Sequence, residues 1–163
     1  MKYNCNKCGK EHEELPAISF NSPHYYHILS EDDKKNIVEL SDDFCVIKHE
    51  DQTDYFIRAV LFQKIIDHSD TLDYGIWVSL SKKSFDEYKE HFKDENHTAT
   101  FFGWFCSQIE GYEETLSLKA NVHTRSGNER PEVVLENCNN DFVMDYYSGI
   151  TIEEAEARVK KLK

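Results

Sequence analysis

The sequence predicts an α+β fold: a mainly antiparallel β-sheet flanked by helices, with an N-terminal zinc-knuckle-like head. Three observations lead to this prediction. Aromatic residues make up 13% of the 163 residues, which indicates a chain that folds around a core. Segments with strand-like alternation fill the middle of the chain, and segments with helix signals flank them. Cys5 and Cys8 form a CxxC pair close to the N-terminus.

The strands are predicted from alternating apolar residues and from dense runs of β-branched and aromatic residues. Residues 54–62 are apolar on both faces, which is typical of a central strand. Residues 98–109 are ambiguous between helix and strand. The predicted strands are residues 44–47, 54–62, 72–81, 115–123, 133–135 and 142–146.

Three helices are predicted from their capping residues. Ser30 precedes three acidic residues and starts a short helix that reaches about Glu39. Ser81 or Ser84 starts a second helix, with aromatic residues at helical spacing. Thr151 forms a capping box with Glu154 three residues later and starts the C-terminal helix.

A single domain, residues 1–163, is expected, because no repeat or linker divides the chain and glycine and proline are few. Residues 1–16 would form the head and residues 17–163 the α+β body. No apolar stretch follows the N-terminus and no run is long enough to span a bilayer, so a soluble, cytoplasmic protein is expected. The odd number of cysteines, five, favours metal binding over a disulfide framework.

The charge of the chain excludes some classes of partner. With 31 acidic and 19 basic residues the net charge is −12, which disfavours general nucleic-acid binding and anionic membrane surfaces. Residues 31–54 hold nine acidic residues and three lysines, a net charge of −6 and half of the total. Such a concentration can attract a basic protein partner, although a merely solvated surface is an equal alternative.

The motif Cys5-Asn6-Lys7-Cys8-Gly9 predicts a structural zinc site, because two thiolates at this spacing can bind one Zn²⁺ from a single turn. His12 is near enough to be a third ligand. Cys45, the next cysteine along the chain, is the candidate fourth ligand, with a buried unliganded thiol as its alternative. His24 and His27 are further alternatives, and a redox pair or a knuckle without metal are the alternatives to zinc.

Three polar or cationic residues lie around the turn of the last predicted hairpin: His123, Arg125 and Arg130. In so acidic a chain, the clustering of these groups predicts a binding site for an anion or a carboxylate. The alternative is that they only offset acidic residues on the surface. No G-x-S-x-G, Walker A or H-E-x-x-H motif is present, so nucleophilic and metal-protease catalysis gain no support.

Several motifs occur together in a recognisable order. They are Cys5-x-x-Cys8-Gly9-x-x-His12, Ser41-Asp42-x-x-Cys45-Val46-Ile47, Gly75-Ile76-Trp77-Val78-Ser79-Leu80-Ser81, Phe102-Gly103-Trp104-Phe105-Cys106 and Leu118-Lys119-x-x-Val122-His123-x-Arg125. This combination resembles a bacterial family known as domain of unknown function 2199, over nearly the whole chain. The resemblance implies no established activity. It places Cys45 in a family motif, which favours it as a zinc ligand, and it favours a role for the hairpin cluster.

Two functions are consistent with these observations. The first is a non-enzymatic binding protein, stabilised by zinc, that uses its acidic surface to bind a basic partner. The second is an enzyme that acts on a small anionic substrate near His123, Arg125 and Arg130. Nucleic-acid binding through the head is not expected, because the head carries too few lysines.

Overall fold

The computed structural model describes residues 15–161, together with the backbone of residues 3–4 and 11–12. The fold is α+β, as predicted. The helices are α1 (His24–His27), α2 (Glu31–Asn36), α3 (Lys82–Glu90), α4 (Asp141–Ser148) and α5 (Ile152–Lys160). The strands are β1 (Tyr3–Asn4), β2 (Glu11–His12), β3 (Ile18–Ser19), β4 (Val38–Leu40), β5 (Phe44–Lys48), β6 (Thr53–Lys64), β7 (Thr71–Leu80), β8 (Thr100–Phe105), β9 (Lys119–His123) and β10 (Glu132–Leu135).

Eight of these strands form one sheet in the order β3-β7-β8-β9-β10-β6-β5-β4. Strands β6 and β7 also pair with each other, along an antiparallel ladder that runs from Tyr55 opposite Leu80 to Lys64 opposite Thr71. The five strands from β6 to β10 therefore close into a barrel. Strands β1 and β2 pair separately, in antiparallel orientation.

The sheet is mixed, which corrects the prediction of a mainly antiparallel one. Successive barrel strands alternate in direction, so the first and fifth point the same way and must close the barrel in parallel. Strands β6 and β10 do so where Val60 lies opposite Glu132, and the Val60 amide donates to the Pro131 carbonyl at 2.9 Å. Strand β3 is also parallel to its neighbour β7.

The two apolar faces of β6 contact two separate cores. Ile57, Ala59 and Leu61 belong to the large cluster that fills the barrel. Phe56 faces the other way, into a smaller cluster with Cys45, Ile47, Trp77 and Cys106. The apolar residues on the two faces of β6 thus have separate packing partners, as expected of a central strand, although the second face is fully buried only at Phe56.

The predicted helix starts are confirmed, with the backbone amide three residues on as the donor in each case. Ser30, Ser81 and Thr151 accept these hydrogen bonds at 3.1, 3.2 and 3.1 Å respectively. Helix α2 ends at Asn36 rather than near Glu39, because residues 38–40 pair with β5 as strand β4.

The predicted strand at residues 142–146 is wrong, because this segment is helix α4. Asn140 caps it by accepting a hydrogen bond from the Val143 amide at 3.1 Å. Phe142 and Val143 are adjacent and both wholly buried. In so short a segment, the spacing of the apolar residues does not distinguish a helix from a strand. The ambiguous residues 98–109 contain strand β8.

Among the described residues, none of the helices combines the length and the apolar character that crossing a membrane would require.

Candidate functional site

Two of the three predicted hairpin residues lie in one pocket. The segment between β9 and β10 brings Arg125 and Arg130 to a cavity of about 460 Å³. His123, the last residue of β9, is outside its lining, and its Nδ1 lies 2.9 Å from the Thr100 hydroxyl on β8. The predicted cluster is therefore a pair of arginines at a pocket, with His123 directed to the neighbouring strand.

Both arginines are held by neighbouring groups. Arg130 Nε donates to the Asp43 carboxylate at 2.9 Å, which joins the hairpin to the loop between β4 and β5. Arg125 Nε donates to the Arg130 carbonyl at 2.6 Å, and its Nη2 lies 3.6 Å from the Glu129 carboxylate. The positive charges are thus partly offset before any ligand arrives.

Two histidines that the sequence reasoning missed line the same pocket. The His91 and His97 rings stack with their centroids 4.0 Å apart and their planes 7° apart. His97 Nε2 lies 3.4 Å from the Glu87 carboxylate, and His91 Nδ1 lies 3.8 Å from that of Asp94. His91 follows the last residue of α3 and His97 lies beyond it in the next loop, so no periodic spacing along the chain indicated that the two histidines meet.

The pocket does not carry a net positive charge. Its lining includes Arg125 and Arg130 against four acidic residues: Asp43, Asp73, Asp94 and Glu129. With neutral histidines the lining therefore has a net charge of −2. This field does not select for a small anion, although the two histidines and the two guanidinium groups supply donors for a polar ligand.

The predicted zinc ligands lie mostly outside the described residues. This holds for Cys5, Cys8 and the side chain of His12, whose backbone is in β2. Cys45, on β5, is wholly buried in the smaller core cluster, and burial raises its pKa to about 12. These surroundings favour the neutral thiol, whereas zinc binds the thiolate. Within the described part of the chain, no group of three or more His, Cys, Asp or Glu side chains is arranged to bind a metal ion.

The acidic segment, residues 31–54, lies at one end of the sheet. It comprises α2, the edge strand β4, strand β5 and the turn into β6. Four of its nine acids, Glu31, Glu39, Asp43 and Asp54, lie within 4 Å of a basic side chain. The other five are exposed or solvent-facing and form no ion pair with the described residues: Asp32, Asp33, Asp42, Glu50 and Asp51.

The chain belongs to the family described as uncharacterized protein conserved in bacteria (DUF2199), which it matches over residues 4–150. No curated protein and no solved structure shows a significant match to it. The family description supplies no activity, so a function can be inferred only from the chemistry of the surface and the pockets.

Proposed function

We propose that this protein is a non-enzymatic binding protein whose acidic surface, residues 31–54, binds a basic segment of a partner protein. The observation that carries the proposal is the concentration on this one segment, at the end of the sheet, of five exposed carboxylates that form no ion pair with the described residues. Carboxylates outside ion pairs keep most of their charge available to a partner, and together they attract a basic protein over a distance of about 10 Å at ordinary ionic strength.

The backbone of the same surface also supports binding. Strand β4 is the last strand of the sheet, so one of its sides is not paired with any strand of the described residues. Leu40, at its end, has 40% of its surface exposed although it is a large apolar residue. An apolar contact surrounded by charges is the usual composition of an interface, with the charges setting the rate and selectivity of association.

The test is affinity capture from bacterial lysate at low and high salt, followed by titration of the purified captured protein. The variant Asp32→Asn/Asp33→Asn/Glu50→Gln/Asp51→Asn removes four of the five carboxylates. The matched control removes four exposed acids elsewhere: Glu90, Glu113, Glu136 and Glu153. Glu153 lies in the first turn of a helix, as Asp32 and Asp33 do, so the control reproduces the loss of a favourable helix-dipole interaction.

We expect a basic protein to be captured by the wild type and by the control, and to be lost with the surface variant and at high salt. The affinity of the surface variant should fall about tenfold or more, since each exposed charge contributes a few tenths of a kcal/mol. If no captured protein depends on both salt and these four acids, the proposal is wrong.

A second candidate, an enzyme acting on a small anionic substrate near His123, Arg125 and Arg130, is favoured by one observation. The two arginines line the same pocket as the stacked imidazoles of His91 and His97. Titration with inorganic phosphate, followed by the NMR signals of the two imidazoles, tests it. Saturable shifts that Arg130→Gln abolishes would favour this candidate, and the net negative lining predicts that they are absent.

We also propose that Cys5, Cys8, His12 and Cys45 bind a structural Zn²⁺ that fastens the head to the body. The spacing of the CxxCG motif supports this proposal, and all four residues lie within the part of the chain that matches the family.

A further inference from the structure

A second cavity, of about 510 Å³, lies between strands β3 and β7, helices α4 and α5, and the segment that joins β8 to β9. It receives Tyr74 from β7, Tyr112 from the segment between β8 and β9, and Arg158 from α5. Its apolar wall is formed by Ile18, Phe20 and Ile109. It shares only Ser19 and Tyr74 with the arginine pocket of the hairpin, and none of its lining belongs to the acidic surface.

Arg158 is the principal polar group of this cavity. Only 10% of its side chain is exposed. Its Nε donates to the Glu154 carboxylate at 2.9 Å, its Nη1 to the Tyr74 hydroxyl at 3.2 Å, and its Nη2 to the Tyr112 hydroxyl. These bonds use three of the five N–H groups of a guanidinium. The described residues provide no hydrogen-bond acceptor for the other two.

Carboxylates lie close to this buried cation but are much more exposed. The exposed fraction is 43% for the Asp145 side chain and 52% for that of Glu154. Asp145 accepts a hydrogen bond from the Tyr112 hydroxyl at 2.5 Å, and its Oδ2 lies 3.9 Å from Arg158 Nη2. Burial, together with this hydrogen bond, raises the pKa of Tyr112, so the phenol remains a donor at neutral pH.

The charges of the lining favour neither an anion nor a cation. Two basic residues, Arg158 and Lys161, stand against three acidic ones, Glu110, Asp145 and Glu154. A ligand with a single charge would meet both attraction and repulsion here. A ligand with both charges can place its carboxylate against the buried Arg158 and its ammonium group against the more exposed Asp145 and Glu154, so the cavity favours a zwitterion.

We propose that this cavity binds a free α-amino acid with an apolar side chain. Its carboxylate accepts from the N–H groups of Arg158 that are not otherwise used, at the buried end. Its ammonium group donates to Asp145 and Glu154 at the exposed end. Its side chain packs against Ile18, Phe20 and Ile109. The cavity therefore binds both the charged end and the apolar end of the same ligand.

The test is isothermal titration of the full chain with L-leucine, L-methionine and L-phenylalanine. Two analogues of L-phenylalanine, 3-phenylpropanoate and phenethylamine, each lack one of the two charges. We expect at least one of the amino acids to bind, and the singly charged analogues of phenylalanine to bind about tenfold more weakly than phenylalanine or not at all. Absence of binding by all three amino acids at about 10 mM overturns the proposal, as does an analogue that binds as tightly as its amino acid.

The variant Asp145→Asn keeps an oxygen that can accept from Tyr112 but removes the negative charge. We expect it to weaken binding of the amino acid about tenfold. Asp86→Asn, which removes an exposed acid from α3, is the matched control and should leave binding unchanged. Equal affinities for the wild type and Asp145→Asn would contradict the proposed placement of the ammonium group. Arg158 also ties α5 to the barrel, so substitution of Arg158 would disturb folding as well as binding. Asp145→Asn is used instead because it is expected to leave folding intact.

Discussion

Trp77 connects the sheet to the N-terminal segment. It is the largest of the fully buried side chains in the described part of the chain, and its indole Nε1 donates to the Phe20 carbonyl at 2.8 Å. The chain contains one other tryptophan, Trp104, whose side chain is 40% exposed on β8. The two positions therefore allow the same substitution to be compared inside and outside the core.

We expect Trp77→Phe to lower the free energy of unfolding by about 2 kcal/mol, because it removes a buried hydrogen bond and leaves a cavity. Trp104→Phe should change it by less than about 0.5 kcal/mol. Urea unfolding followed by circular dichroism measures both. Equal losses for the two variants would show that the contact between Trp77 and Phe20 does not stabilise the fold.

His27 should make the stability depend on pH. Partial desolvation of the imidazole, followed by the nearby charges of Lys34 and His24, lowers its pKa below the ordinary 6.5, although the residue as a whole is exposed. Its Nε2 lies 3.0 Å from the hydroxyl of Ser22, which is buried. Below pH 6.5 the unfolded chain takes up a proton that the folded chain resists, so stability is lost as the pH falls through this value.

The variant His27→Gln can keep the hydrogen bond to Ser22, but its amide group does not titrate. We expect the urea midpoint of the wild type to fall further between pH 7.5 and pH 5.5 than that of His27→Gln. His68→Gln, which removes another exposed histidine, should behave as the wild type does. A pH dependence that His27→Gln leaves unchanged would contradict this assignment.

At the scale of elements, the capping of α5 has a measurable effect. The Thr151 hydroxyl accepts from the Glu154 amide at 3.1 Å, and α5 carries Arg158, which holds two tyrosines and a carboxylate together. Thr151→Ala should lower the free energy of unfolding by about 1 kcal/mol, while Thr151→Ser, which keeps the hydroxyl, should be nearly neutral. Thermal unfolding of the two variants provides the comparison, and similar losses would indicate that the cap bond is not stabilising.

The elements differ in how clearly their residues predict them from the sequence. Strands β6 and β7 follow from alternation and from apolar residues on both faces, because the two faces of β6 contact different core clusters. Helix α4 is missed because Phe142 and Val143 are neighbours that share the core, whereas a longer helix would repeat its apolar face every three or four residues.

Candidate sites are predictable only when their residues are close in sequence. Arg125 and Arg130 stand five residues apart on one hairpin, so the sequence indicates them together. Tyr74, Asp145 and Arg158 come from three distant elements, and nothing along the chain relates them. Their proximity depends on barrel closure, since β7 must curve around to meet the helices that follow β10.

At the scale of the whole molecule, the head predicted for residues 1–16 is mostly polar, and a segment of that size and composition carries too few apolar side chains to hold its place by burial alone. We therefore expect a bound Zn²⁺ to fix it, and removal of the metal to destabilise the protein. Cys5→Ser and Cys8→Ser should each reduce zinc from one ion per chain to nearly none, and should lower the melting temperature by about 5 °C or more.

Cys138→Ser is the matched control, because Cys138 is exposed and lies outside the motif. It should retain both the zinc and the melting temperature, as measured by elemental analysis and calorimetry. Zinc content that is equal in Cys5→Ser, Cys8→Ser and the control would refute the site. Cys45→Ser then tests the fourth ligand: loss of zinc from a folded variant would place the Cys45 thiolate on the metal. Retention would leave Cys45 as a buried neutral thiol, in keeping with its raised pKa of about 12.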